Sequence, residues 1–371
     1  MIAISSAFDG GNIEVVNAED ASDVRLAIRR DNASDFLQWF YFRATGSRAA
    51  AWSFRLMNAG ASTYPTGWAG YQVAASTDRK SWRRLPTTFE GGELRWTHRP
   101  EGDVCWYAYF APYSLERHAD LLARCADHAR IDTLGQTIDG RDVDRVTVGN
   151  PAGKQIWVIA RQHPGETMAE WWMEGFLGRL LDPTDALARA LGRAAQFHVV
   201  PNMNPDGSFR GNLRTNAAGA NLNREWHAPT LERAPEVAVV RNAMDTSGVH
   251  LCLDVHGDED LPYNFIAGSE GVPGHDARSD ALLATFKTEY QRVNPDFQQT
   301  HGYPIEAPGE ANLTLCTNQT ALRYRCLAMT LEMPFKDTAN DPDPREGWSP
   351  ARAVKLGASA LEPIAAVLPA L

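Results

Sequence analysis

The feature that most restricts how this chain can fold is a change of rhythm near residue 114. Beyond it, the runs "RVTVG", "QIWVIA", "QFHVVP", "HLCLDV" and "CLAMTLEM" are mostly apolar rather than alternating. Strands of that kind are buried on both faces, and the helix-type segments between the runs ("SLERHADLLARCADHAR", "TMAEWWMEGFLGRLL", "PEVAVVRNAMDTSG") would cover them. The pattern predicts an α/β domain with a mixed, mainly parallel sheet flanked by helices. Before the change, short aromatic and β-branched segments such as "DFLQWFYFRA", "AAWSFRLMN" and "CWYAYFAPY" are separated by Gly, Asn, Asp or Pro clusters. These predict an all-β antiparallel sandwich. The expected division is a sandwich over residues 1–115 and an α/β domain over 116–371, packed together without a long linker.

With 44% hydrophobic and 22% charged residues, the chain can build an ordinary globular core. A formal net charge of −10 and the lack of any Lys/Arg-rich block argue against a nucleic-acid partner. The N-terminal "MIAISSAFDGG" has neither a basic region nor a long apolar one, and no later stretch approaches the roughly 20 apolar residues of a membrane span. A cytoplasmic protein with no membrane association is therefore expected. Cys105, Cys125, Cys252, Cys316 and Cys326 are odd in number, scattered and set in apolar surroundings, which fits free thiols in a reducing compartment.

Three of the strand-type runs end in ionisable residues: "IWVIARQHPGE" in His163 and Glu166, "HLCLDVHGDED" in His256, and "CLAMTLEMPF" in Glu332. In open α/β sheets, ligands gather at the carboxyl ends of the strands, where strand order reverses. Two imidazoles and a carboxylate form the ligand set of a catalytic zinc site that keeps one position open for water. His163, Glu166 and His256 are the candidate ligands, and Glu332 is then left as general base. Pro164 would end the ladder and Gly165 would tolerate the dihedrals of a sharp reversal.

A plainer reading stands beside this one, because a single His-x-x-Glu also arises by chance and "HPGE" can simply be a turn. Asp254, Asp258, Glu259 and Asp260 read as a solvated loop, with Asp254 also able to orient a ligand from behind. His198 and the remaining histidines read as structural, and the Trp and Met residues of 168–176 as helix packing.

A long loop, "PNMNPDGSFRGNLRTNAAGANLNREW", separates the candidate ligands. Long ordered loops in compact domains are usually functional. This one carries Arg210, Arg214 and Arg224 with Asn202, Asn221 and Asn223. Arginine suits a fixed grip on a carboxylate, and an Asn amide can add a donor to the same oxygens. Zinc beside such a clamp is what removal of a peptide's last residue requires; without the clamp an endopeptidase or amidase would serve as well.

At these residues the chain resembles the zinc carboxypeptidases, and most closely the cytosolic carboxypeptidase subfamily. The motifs "HPGET", "PNMNPDG", "GNLR", "GANLNREW", "DVHGDED" and "TLEMPF" follow that family's order. In the first half, "FDGGNIEVV", "DFLQWFYFRATG" and "CWYAYFAPYSL" look like the subfamily's N-terminal β-sandwich. The resemblance implies one Zn2+ per chain on His163, Glu166 and His256, and Glu332 as the base. It implies Arg214 as the oxyanion donor, and Asn223 and Arg224 as ligands of the terminal carboxylate of a peptide or protein substrate. The family's mobile tyrosine has no match in register; Tyr303 is nearby but out of step, and Tyr324 reads as structural.

The subfamily's association with glutamate removal implies a cationic pocket, for which Arg323 and Arg325 are candidates, although ordinary surface ion pairs would also account for them. Two other functions stay open on sequence grounds: a zinc amidohydrolase of the aspartoacylase or desuccinylase type, and a non-catalytic peptide-binding relative.

Overall fold

The computed structural model describes residues 2–371. Its central element is a seven-stranded sheet. Lys154–Ala160 lies beside Ala195–Val200 on one side and Leu251–Val255 on the other, and Leu327–Glu332 follows, all parallel. Beyond Ala195–Val200, Asp142–Gly149 and Arg130–Gln136 add antiparallel strands, and Phe265–Ala267 closes the opposite edge, also antiparallel. The mixed, mainly parallel sheet expected from the apolar runs is present.

Alternate residues of the central strands feed two apolar clusters. Ile156, Val158 and Ala160 face one that includes Trp172, Phe176, Phe286, Leu356 and Ile364, from Met168–Leu180, Ala277–Val293, Pro350–Ala358 and Leu361–Val367. Trp157 and Ile159 face the other, which includes Val237, Val240 and Met244 from Pro235–Ser247 and Cys316 and Ala321 from Cys316–Tyr324. Burial on both faces explains why these strands lack a polar alternation. Met168–Leu180 crosses Pro350–Ala358 so closely that a Cβ on Gly175 would stand 1.9 Å from the carbonyl oxygen of Val354. Only glycine permits that approach.

Residues 350–370 correct one expectation, since by length and apolar character they do pass for a membrane span. The fold breaks them into Pro350–Ala358, Leu361–Val367 and Leu368–Ala370, which lie against the sheet's helical layer. Among the described residues all five cysteines are free thiols.

The first part of the chain forms two five-stranded sheets. In Trp52–Leu56, buried and half-buried residues alternate, as a strand with one face on the core requires. Rings from both sheets meet between them: Phe42 lies 5.8 Å from Phe54 and 6.4 Å from Trp96, centroid to centroid. Pairing is antiparallel except that Val24–Ala27 runs parallel to Trp52–Leu56. The sandwich and the α/β part share one apolar cluster. Tyr109 stacks on Phe335 at 4.4 Å, and buried Arg84 donates to the carbonyls of Gln72, Phe335 and Trp348 at 2.8, 2.6 and 3.2 Å.

Strand order reverses beside Lys154–Ala160. The chain continues from it to Ala195–Val200 on one side, then returns across it to Leu251–Val255 on the other. The crevice at the carboxyl ends of these two strands is where an α/β sheet accepts a ligand.

Candidate active site

The turn after Lys154–Ala160 is held from several sides. Arg161 takes a left-handed φ of 59°, and its buried guanidinium donates to the carbonyls of Pro164 at 3.0 Å and Tyr113 at 2.9 Å and to Glu170 Oε2 at 2.5 Å. Gly165 N donates to Leu213 O at 2.8 Å, and a Cβ there would lie 2.9 Å from that same oxygen. Close approach to the 211–214 loop, rather than an unusual dihedral, is what requires glycine at 165.

This turn and the end of Leu251–Val255 bring three side chains together. Glu166 Oε1 lies 2.6 Å from His163 Nδ1, Glu166 Oε2 lies 2.8 Å from His256 Nδ1, and the two Nδ1 atoms are 3.2 Å apart. All three residues are buried. On the far side of each ring, His163 Nε2 meets Asn221 Oδ1 at 3.0 Å and His256 Nε2 meets Asp254 Oδ2 at 2.9 Å. Those acceptors suit ring protons on Nε2 with metal-facing lone pairs on Nδ1; Glu166 also faces each Nδ1, and against burial Asp254 and Glu166 together raise His256 well above the ordinary imidazole range. Two lone pairs and a carboxylate facing one point repel each other unless a cation lies among them, so the donor set fits a divalent metal of the nitrogen/oxygen-binding class. Burial, with Arg214 adding to it, pushes His163 down to about 3, so this ring is neutral.

Glu332 ends the next strand. Because Val255 is paired with Leu331 and His256 N donates to Leu331 O at 2.8 Å, Glu332 arrives level with His256. Burial raises its carboxyl well above the usual range against the pull of His256, and Glu166, Asp258 and Glu259 add to the rise. No protein group donates to its buried Oε2 among the described residues. A carboxyl beside the clustered ligands with one buried oxygen free of protein partners suits proton transfer, and a dication on those ligands would oppose the rise and favour the carboxylate a base requires.

His163, Glu166 and Glu332 open on a cleft of about 490 Å³ that Arg214, Asn223 and Arg224 also line. Arg214 NH1 is 3.9 Å from Glu166 Oε1, and its guanidinium stands 5.6 Å from the Phe36 ring and 5.5 Å from the Tyr64 ring. Asn223 Oδ1 accepts from Cys316 N at 2.8 Å, which assigns its other amide atom as a donor. Arg224 NH1 rests on Asn223 O at 2.6 Å. Arg210 does not join them; it pairs with Asp139 at 2.9 and 2.8 Å on the outer side of the loop. Asn202 bonds Glu170 and Ser208 within the fold, and Asn221 serves the metal cluster.

Residues 115–339 match the family model described as zinc carboxypeptidase, and residues 4–110 the one described as cytosolic carboxypeptidase N-terminal domain. The chain belongs to the zinc carboxypeptidase family. Among solved structures, a metallo-carboxypeptidase from Burkholderia cenocepacia is 46% identical, with all of both chains covered and a TM-score of 0.97. A metallo-carboxypeptidase from Pseudomonas aeruginosa, in complex with (2-guanidinoethylmercapto)succinic acid, is 45% identical over 99% of both chains, with a TM-score of 0.96. Human cytosolic carboxypeptidase 2 is 29% identical over 72% of this chain and 34% of its own length. Both halves of the sequence thus match carboxypeptidase models, which favours peptidase over the amidohydrolase alternative.

Several cleft residues of this carboxypeptidase depart from the sequence reading. Arg323 forms a bidentate surface pair with Asp245 at 2.7 and 2.9 Å, and Arg325 donates to Pro273 O at 3.0 Å; neither lines the cleft. Apart from Arg214 and Arg224, the cation that lines the cleft is half-buried Lys287, near Glu270. Asp254 is buried within the sheet, Asp258 by its bridge to Pro334 and Glu259 against Gly67 of the sandwich, rather than solvated; Asp260 alone of the four is exposed. Tyr303 lines the cleft and donates from Oη to Asp258 Oδ2 at 2.5 Å. Tyr324, by contrast, bonds Asp245 at 2.7 Å, consistent with a structural role.

Proposed function

We propose that the chain removes C-terminal residues from peptides or proteins with one Zn2+ bound by His163, Glu166 and His256. The observation that carries this reading is the cluster of three cation-seeking side chains beside two arginines and an asparagine amide in one cleft. Zinc at that point would supply Lewis-acid polarisation of the scissile carbonyl and lower the pKa of a water. Glu332 takes the proton from that water and passes it to the leaving amine. Arg214 donates to the developing oxyanion, an effect typically worth a few kcal/mol. Asn223 and Arg224 hold the substrate's terminal carboxylate, which limits cleavage to the last residue. A cytoplasmic setting agrees with the names of the cytosolic relatives, and we keep 115/116 as the proposed domain division.

For the departing side chain, the proposed acidic preference now rests on Lys287. Glu270 and Glu306 line the same cleft and favour a basic side chain, which is the second reading. A peptide library mixed at the C-terminal position, digested with and without a chelator, tests metal, reaction and preference together. Chelator-sensitive release of single C-terminal residues is expected. Internal cleavage, or release of acyl groups from N-acyl amino acids but not of residues from peptides, would overturn the proposal.

A further inference from the structure

Arg214 is a long side chain whose one carboxylate contact within 4 Å, among the described residues, is Glu166 Oε1 at 3.9 Å. A flexible arginine without a bidentate partner needs another source of order. That source lies in the other half of the chain. Asp31, on the sandwich and only 3% exposed, accepts four hydrogen bonds from the loop that carries Arg214. Its Oδ1 takes Leu213 N at 2.6 Å; its Oδ2 takes Arg214 N at 2.8 Å, Thr215 N at 2.9 Å and Thr215 Oγ1 at 3.1 Å.

Successive backbone N–H groups turned to one side form an anion-binding concavity. Here a carboxylate from a distant segment fills it, so the peptide planes around Arg214 are set by the sandwich. Asn32 extends the seam, accepting from Asn212 Nδ2 at 2.7 Å and donating to Ala217 O at 2.8 Å. Asp31 N in turn donates to Phe36 O at 2.8 Å, and that turn presents the Phe36 ring to the Arg214 guanidinium. Tyr64, the second ring beside it, also belongs to the sandwich.

We infer that Asp31 is a positioning residue for Arg214, and that the β-sandwich is thereby part of the catalytic apparatus. The inference rests on the oxyanion role proposed for Arg214. Where catalysis depends on a donor aimed at a transient charge, an ångström of misplacement costs rate more than binding.

The test is a double-mutant cycle on the zinc-loaded full chain, with a cleavable free-C-terminus peptide as substrate. Arg214→Ala is expected to lower kcat on the order of 10²- to 10³-fold. Asp31→Asn is expected to lower kcat by roughly 10- to 100-fold, with KM and zinc content within about twofold of the parent. Combined, the two should be no slower than Arg214→Ala alone, since each disables the same donor. Multiplying losses, or an unchanged kcat in Asp31→Asn, would overturn the inference while leaving Arg214 in its role. Full activity in Arg214→Ala would remove both readings. If Asp31→Asn does not fold, Thr215→Val strips one of the four donors, and its smaller loss of kcat must vanish in the Arg214→Ala background for the inference to stand.

Discussion

Asp254 Oδ2 lies 2.9 Å from His256 Nε2, with both side chains out of contact with solvent. Gln162 Nε2 donates to the same oxygen at 2.6 Å, so the carboxylate is itself fixed. A carboxylate behind a ligating imidazole orients the ring and raises the basicity of its free nitrogen, and losing it typically costs 10- to 100-fold in metal affinity. Asp254→Ala should therefore weaken zinc binding by roughly that factor, read by competition with a chelating dye. An unchanged zinc affinity would show that His256 needs no such support.

Glu332→Gln separates metal binding from chemistry. The amide keeps the shape of a side chain that is not among the three clustered ligands, so zinc content and thermal stability should match the parent. Turnover should fall by roughly 10²- to 10⁴-fold, because an amide cannot take the proton of the attacking water. A variant that still cleaves at nearly the parental rate would remove Glu332 from the role of base.

The residues that sequence made legible are those that chain direction delivers. His163, Glu166, His256 and Glu332 follow apolar parallel strands, and the register of such strands brings their carboxyl ends to one crevice whatever surrounds it. The residues it hid depend on packing between distant segments. Asp31, Phe36 and Tyr64 reach Arg214 only because the sandwich docks on the 211–217 loop, and nothing local to them signals a site. Closeness to Glu332 along the chain misled in the case of Arg323 and Arg325. Thr317 and Asn318, at the start of Cys316–Tyr324, line the cleft, whereas Arg323 lies at the other end of that helix beside Asp245.

The specificity assignment follows from that correction. If Lys287 receives an acidic side chain, Lys287→Glu places like charges together, which costs roughly 1 to 2 kcal/mol in this half-buried contact. Its kcat/KM on peptides ending in Glu should drop roughly tenfold or more relative to peptides ending in Ala. Arg323→Ala, on the surface, should leave that ratio unchanged. A Lys287→Glu enzyme with the parental ratio would shift support to a basic substrate residue matched to Glu270 and Glu306.

The last prediction concerns stability. Glu236 is fully buried at the start of Pro235–Ser247, and burial pushes its carboxyl from 4.5 up to about 7, with Asp206 and Asp139 adding to the rise. Its own backbone N–H and the Asn216 amide, 3.1 Å from Oε2, oppose the shift. The folded chain therefore holds this proton more tightly than the unfolded chain does. The sign follows: the contribution is complete below about 4.5 and is lost as pH rises through about 7, an effect of order 3 kcal/mol at most. Glu236→Gln keeps a neutral acceptor for Asn216 and has no proton to lose. Compared at fixed zinc concentration, the variant and parent should melt together near pH 5, and the variant should melt higher by pH 8, by several degrees. Parallel Tm profiles across that range would show that Glu236 titrates alike in the folded and unfolded chains.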